Sequence, residues 1–288
     1  MIMRQRLYDT MAKEENKKLS RKKCAAGIIS ALALSTVSTV VISRFGKYIE
    51  NRYMQSTLAS LIDALLLIAV IVLFGQGDKL RFTFRSFGKG LVVGGTMTAA
   101  SLIMLTINTF KGITEIGTPR IGAINGLLYS AALFLSVGMT EELMYRGVIM
   151  NFVRETMGEG KKSMIISMII SSVMFGVVHL FNLAYTDDVI GTLCQVGYAM
   201  SLGFMLAAVY ARSHNIWANV IIHFLFDLSL LIYGEVFKNV TVTVSSLAGE
   251  HSIVLISAAI FAAGIAVSMF LLRKKKIGEC FENTPDAA

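Results

Sequence analysis

The chain has 288 residues, of which 55% are hydrophobic and 16% are charged. In soluble domains roughly a quarter of the residues are charged. This composition excludes an ordinary soluble domain and points to a membrane protein. The three cysteines lie far apart and form no CxxC pair, which argues against a disulfide framework or a structural zinc site.

Apolar stretches of about 20 residues recur along the chain, and this length suits a helix that crosses a bilayer. Long uninterrupted runs and only two prolines favour helices over the alternating strands of a membrane barrel. The sequence therefore predicts an all-α, polytopic integral membrane protein with about eight transmembrane helices. The predicted spans are 24–43, 56–75, 91–110, 121 to 142 or beyond, 163–183, 189–211, 215–233 and 253–272.

The apolar core of the first span is longer than the roughly 7 to 15 residues of a signal peptide, so we expect a retained signal anchor. The predicted organisation is a basic cytoplasmic segment at 1–23, a transmembrane helical domain at 24–276 and a polar cytoplasmic tail at 277–288.

The distribution of lysine and arginine predicts the orientation, because these residues concentrate on the cytoplasmic side of membranes. With eight spans, 21 of the 27 lysines and arginines lie on the side of the two termini. We therefore expect a multi-pass protein of the cell membrane with both termini in the cytoplasm. This bias, with attraction to anionic lipids, explains the net charge of +8, and no nucleic-acid partner is predicted.

Ionisable side chains inside the spans are functional candidates, since a charge near the bilayer centre costs roughly 2.5 to 3.5 kcal/mol. Asp63 sits near the end of its span and is interpreted as a packing residue. The remaining candidates fall on spans four, five and seven and are Glu141, Glu142, Arg146, His179, His223 and Asp227.

The stretch TEELMYRG holds two adjacent glutamates and an arginine. Glu142 and Arg146 are four residues apart and would lie on one stripe of a helix, while Glu141 points about 100° away. We expect Arg146 to keep Glu142 ionised and to leave Glu141 free to take a proton from water. The alternative is a structural ion-pair cluster without a catalytic role.

Two further stretches, FGVVH and HFLFD, each place a histidine in an apolar run. His179 follows Phe175 by one helical turn, and His223 precedes Asp227 by one turn, so this carboxylate could fix the imidazole tautomer or simply satisfy it. Because burying polar groups singly is costly, we expect the three spans to bring them together.

Such a cluster could activate water through carboxylate and imidazole alone or through a divalent metal such as zinc, so the cofactor is left open. Candidate ligands are Glu141, His179 and His223. No HExxH zinc motif, GxSG serine motif or GxGD aspartate motif is present.

The three stretches resemble the motifs of a known family. EELMYRG resembles EExxxR, FGVVH resembles FxxxH and HFLFD resembles HxxxN/D of the CPBP intramembrane proteases, which include CAAX prenyl endopeptidases and bacterial Abi-type proteins. The resemblance covers residues 121–233. Each motif is short, but their order on three separate spans is specific.

The resemblance implies a polytopic helical protease in which Glu141 and His179 activate water. It further implies that His223 and Asp227 stabilise the oxyanion, while Arg146 orients the glutamates and Glu142 assists. Asp227 departs from the asparagine that is frequent at its position. The site residues lie at different depths, so we expect span four to be long and tilted and span five to be tilted or to start earlier. Span four could reach the required length by continuing past Arg146.

The expected function is hydrolysis of a peptide bond in a membrane-associated peptide or protein, with membrane lipids and that substrate as partners. One alternative is a non-catalytic membrane scaffold or a bacteriocin self-immunity protein of the same fold. Another is a proton-coupled transporter that uses the same carboxylates and histidines as a relay.

Overall fold

The structure is a computed structural model that describes residues 2–158, 160–239 and 250–281. Within these ranges the chain is helical and contains no strand, so the predicted all-α fold class is confirmed. Residues 282–288 of the predicted polar tail, and Met1, lie outside the described residues.

Most helices within the described ranges follow one another through short connections. At two places the helix continues directly into π-helical turns. Between α5 and α6 the helix continues through Phe134–Glu141 and Leu143–Met150, and α9 continues through Tyr233–Lys238. The helices are α1 Ile2–Phe45, α2 Arg52–Leu73, α3 Phe84–Val93, α4 Gly95–Glu115, α5 Ala123–Leu133, α6 Asn151–Met157, α7 Lys161–Val177, α8 Val189–Ser213, α9 Ile216–Ile232 and α10 Glu250–Leu271.

Seven helical stretches of the described chain are long and apolar enough to cross a membrane, and a bent pair of helices can supply the eighth. That pair corrects the predicted third span, 91–110. The helix breaks at Gly94, where α3 and α4 meet at an angle of 73°. A side chain at Gly94 would begin 2.5 Å from Ile222, so glycine is needed for close contact with α9.

The central element is a continuous helix of 35 residues, Ala123–Met157, which joins α5, the two π-helical segments and α6. The prediction that span four continues past Arg146 is therefore confirmed. Arg146 itself is fully buried in the bundle, so it does not belong to the flanking charges from which the orientation was predicted.

The central helix packs against α2, α7 and α9, and its apolar core is built from residues such as Leu143, Val148 and Leu206 of α8. Apolar side chains on the outside of the bundle, such as Leu73 and Ile103, are exposed and suit contact with lipid. Small residues permit close helix contacts: the α carbon of Gly176 on α7 lies directly against the backbone of α8.

We predict that Gly176→Ala destabilises the protein by roughly 1–3 kcal/mol, because overpacking forces backbone shifts. The added methyl group would lie 2.7 Å from the carbonyl oxygen of Val196 and 2.3 Å from Met200. Gly197→Ala is the matched control on α8, since nothing lies within 4 Å of its added carbon. Thermal unfolding in detergent should show a lower midpoint for Gly176→Ala only, and equal midpoints for both variants would contradict this packing.

Candidate active site

Glu142 on the central helix is the most connected polar group in the bundle. Its side chain is 0% exposed, and its Oε1 accepts hydrogen bonds from Arg146 Nη1 at 2.8 Å and His223 Nδ1 at 2.9 Å. Its Oε2 accepts a hydrogen bond from Asn219 Nδ2 at 3.0 Å. A buried carboxylate is costly unless it is paired and hydrogen-bonded, and here both oxygens are satisfied.

Arg146 extends this network to two further helices. Its Nη2 donates to the backbone carbonyl of Gly203 on α8 at 2.8 Å. Its guanidinium lies over the ring of Phe175 on α7, 5.0 Å from the centroid. The planar guanidinium therefore links the central helix to α7 and α8 with one side chain, which a lysine ammonium could not do in the same way.

The orientation of the His223 ring follows from its bond to Glu142. An ionised carboxylate only accepts hydrogen bonds, so Nδ1 carries the hydrogen and Nε2 faces away from Glu142. Nε2 lies 3.8 Å from Oε2 of Glu141. His223 thus stands between the two glutamates, with one ring nitrogen turned to each.

The expected pairing of His223 with Asp227 is corrected by this arrangement. Asp227 is half-buried one turn further along α9 and makes no hydrogen bond within the described part of the chain. The carboxylate that fixes the imidazole tautomer is Glu142, from another helix. Spacing along α9 reveals only neighbours on that helix, so it could not identify this partner.

Glu141 lies next to Glu142 in the chain but accepts none of the hydrogen bonds that hold Glu142. Its side chain is 32% exposed and accepts no hydrogen bond from any residue in the described ranges. The two glutamates lie where the two π-helical segments adjoin, and wide turns of this kind are frequent at functional sites. One carboxylate is therefore held in the network, while the other is partly exposed beside His223.

His179 lies just beyond the end of α7, where the chain tightens into the 3-10 turn Val178–Ala184. Its Nδ1 donates to the carbonyl of Phe175 at 3.0 Å, which leaves Nε2 free to accept a proton. The rings of His179 and His223 each lie 5.6 Å from the ring of Phe175. Among the described residues, no hydrogen bond or ion pair joins His179 directly to Glu141.

Asn219 is the site residue that the sequence analysis missed. It is fully buried on α9 and donates to the carbonyl of Leu206 on α8 at 2.8 Å as well as to Glu142. The available signal was the stretch NVIIH, which places an amide one turn before His223 in an apolar run.

The candidate metal ligands do not form a ready metal site. Within residues 2–158, 160–239 and 250–281, no three His, Cys, Asp or Glu side chains are grouped so that they could hold a metal ion. The Nδ1 of both histidines and both oxygens of Glu142 are already engaged. Asp63 lies on α2 and has no hydrogen bond or ion pair with these groups.

The fold and this cluster define a polytopic helical membrane protein with a buried carboxylate and imidazole centre. Residues 123–229, a little over a third of the chain, match the family model described as Type II CAAX prenyl endopeptidase Rce1-like. The predicted resemblance to the CPBP intramembrane proteases, which include the CAAX prenyl endopeptidases, is therefore confirmed over this segment. No curated protein matches the chain significantly.

We predict that Arg146→Ala lowers the free energy of unfolding by about 3–5 kcal/mol, because it leaves the buried carboxylate of Glu142 without its cation. Arg146→Lys should recover only part of this loss, since an ammonium group cannot reach Glu142 and Gly203 as a planar fork. Denaturant titration in detergent micelles measures both changes.

Arg52→Ala is the control, because Arg52 lies at the end of α2 with a 55% exposed side chain, 3.6 Å from Glu235. Removal of this mostly exposed arginine, whose ion pair is long at 3.6 Å, should change the free energy of unfolding by less than about 1 kcal/mol. Similar small losses for Arg146 and Arg52 would contradict the stabilising role of the Glu142 network.

Proposed function

We propose that the protein is an intramembrane endopeptidase that hydrolyses a peptide bond in a membrane-associated peptide or protein. The observation that carries this proposal is the asymmetry of the two glutamates. Glu142 accepts three hydrogen bonds inside the bundle, whereas Glu141 is partly exposed and lies 3.8 Å from His223 Nε2. A purely structural cluster gives no reason to keep a second, partly exposed carboxylate beside His223 without a hydrogen bond.

In the proposed reaction Glu141 acts as general base. It takes a proton from a water molecule while the water oxygen attacks the carbonyl carbon of the scissile peptide bond. His179 assists through its free Nε2, which can share the proton and pass it to the leaving amine. The C–N bond then breaks, and the products are a new carboxylic acid and a new amine.

His223 is proposed to stabilise the negative charge on the carbonyl oxygen. Because Nδ1 is held by Glu142, a second proton on this ring must reside on Nε2, on the side of Glu141. An N–H group fixed in advance at this position lowers the barrier without reorganisation during the reaction. Asp227 would support His223 by charge alone, since the two side chains interact without a hydrogen bond.

Glu142, Arg146 and Asn219 are proposed as positioning residues. They hold the His223 ring between the glutamates and need not touch the substrate. The identity of the substrate is a separate question, and the family match supports testing a prenylated CAAX-type peptide first.

We predict that Glu141→Gln abolishes peptide hydrolysis without loss of the fold, because glutamine has nearly the same shape but cannot accept the proton. The purified protein would be reconstituted in vesicles and given farnesylated CAAX-type peptides and lipid-anchored unprenylated peptides in water enriched in oxygen-18. Mass spectrometry should find the heavy oxygen in the new carboxyl group. His179→Ala should also lose activity, and a chelator arm measures any dependence on a metal.

Asp63→Asn is the matched control, because Asp63 is another carboxylate within a span but does not belong to the cluster. It should keep full activity. If no tested peptide is cleaved by the wild type while Glu141→Gln only lowers the unfolding midpoint, a structural scaffold is the better description. Solute uptake into the vesicles that Glu141→Gln abolishes would instead identify a transporter.

We also infer a cell-membrane location with both termini in the cytoplasm, supported by the charge bias and by eight spans when the α3–α4 pair counts as one. Single cysteines at the exposed positions Tyr48 and Arg81 would test this in a background without the native cysteines. A membrane-impermeant thiol reagent on intact cells should label Tyr48→Cys and spare Arg81→Cys. The reverse pattern would invert the orientation.

A further inference from the structure

The α3 segment, residues 81–93, has a direction that sets it apart from the spanning helices. It meets α4 at 73°, and membrane helices are tilted on average by only about 20° from the bilayer normal. If α4 crosses the bilayer, α3 therefore lies close to the plane of the membrane surface. Hydropathy alone does not distinguish α3 from α4, because both are apolar and adjacent in the sequence.

One face of α3 is fixed to the bundle at the start of α9. Asn215 Nδ2 donates to Ser86 Oγ at 2.9 Å, and a side chain added at Gly90 would begin 2.4 Å from Ala218 Cβ. Just before α3, the carbonyl of Leu80 accepts a hydrogen bond from Trp217 Nε1 at 2.8 Å. These contacts fix one face of α3 against α9, so the remaining faces point away from the bundle.

The faces that turn away from the bundle carry two kinds of side chain. Phe84 is 86% exposed and its ring lies 5.1 Å from that of Phe82, and the ring of Phe87 lies 5.3 Å from that of Phe82. Arg81, just before α3, and Arg85 are both exposed, and Arg85 lies about 100° from Phe84 on a helix that turns roughly 100° per residue. Aromatic rings beside basic residues are typical of the boundary between lipid tails and headgroups.

We propose that the α3 segment is an interfacial anchor that inserts Phe82 and Phe84 among the lipid tails and binds the phosphates of anionic lipids through Arg81 and Arg85. The ligand is the headgroup of a bilayer lipid, because the segment runs directly into the α4 span and cannot lie far from the surface. Bound lipid would hold α3 in place, and α3 in turn supports the end of α9 from which Asn219 and His223 project. This inference does not depend on the proposed activity.

The first experiment measures the depth of Phe84. Phe84→Trp would be reconstituted in vesicles, and the fluorescence of Trp217 in the wild type would be subtracted. Lipids brominated near the headgroup should quench the new tryptophan more strongly than aqueous iodide. Quenching by iodide alone would overturn the insertion of the aromatic strip and favour a water-exposed surface for a protein partner.

The second experiment measures the headgroup contact. The unfolding midpoint of the wild type in phosphatidylcholine nanodiscs should rise as phosphatidylglycerol replaces the neutral lipid. Arg81→Gln with Arg85→Gln should weaken the apparent affinity for phosphatidylglycerol by about five-fold for each residue changed, as expected for roughly 1 kcal/mol per basic residue.

Lys161→Gln with Lys162→Gln is the charge-matched control. Both lysines are exposed at the start of α7, and the two substitutions remove the same amount of charge. This pair should keep most of the response to phosphatidylglycerol. Equal losses in the two pairs would show diffuse attraction and overturn a site on α3. Stabilisation by inorganic phosphate in phosphatidylcholine alone would identify an anion site that needs no lipid, and would also overturn the proposal.

Discussion

A single buried carboxylate, that of Glu142, organises the polar interior of this bundle. In an apolar environment this carboxylate needs hydrogen-bond donors. Its three donors are Arg146 of its own helix and Asn219 and His223 of α9. Arg146 carries the connection onward to the backbone of α8. The requirement to satisfy one charge therefore fixes the relative positions of three helices, and with them the direction of the His223 ring.

The two adjacent glutamates acquire different properties because neighbouring residues on a helix point in different directions. Glu142 turns into the contact between the central helix and α9, where donors surround it. Glu141 turns toward space beside His223 Nε2. The two residues are chemically identical, so the helix geometry alone places one carboxylate in the hydrogen-bonded network and leaves the other partly exposed.

Much of the fold could be predicted because apolar runs determine membrane helices almost directly. The ion pair of Glu142 and Arg146 could also be predicted, since both residues lie on one helix four positions apart. The break at Gly94 was not, because hydropathy measures composition over a window and contains no direction. The partner of His223 and the role of Asn219 were also missed, as contacts between helices leave no spacing in the sequence.

The Glu142 network also determines where function can be separated from stability. A change at Glu142, Arg146 or Asn219 leaves a buried group unpaired, so it perturbs the fold and the orientation of His223 together. Glu141 carries no hydrogen bond from the described part of the chain, so little of the fold depends on it. Loss of activity with an intact bundle is therefore informative at Glu141, and it is ambiguous at Glu142, Arg146 and Asn219, which hold His223 in place.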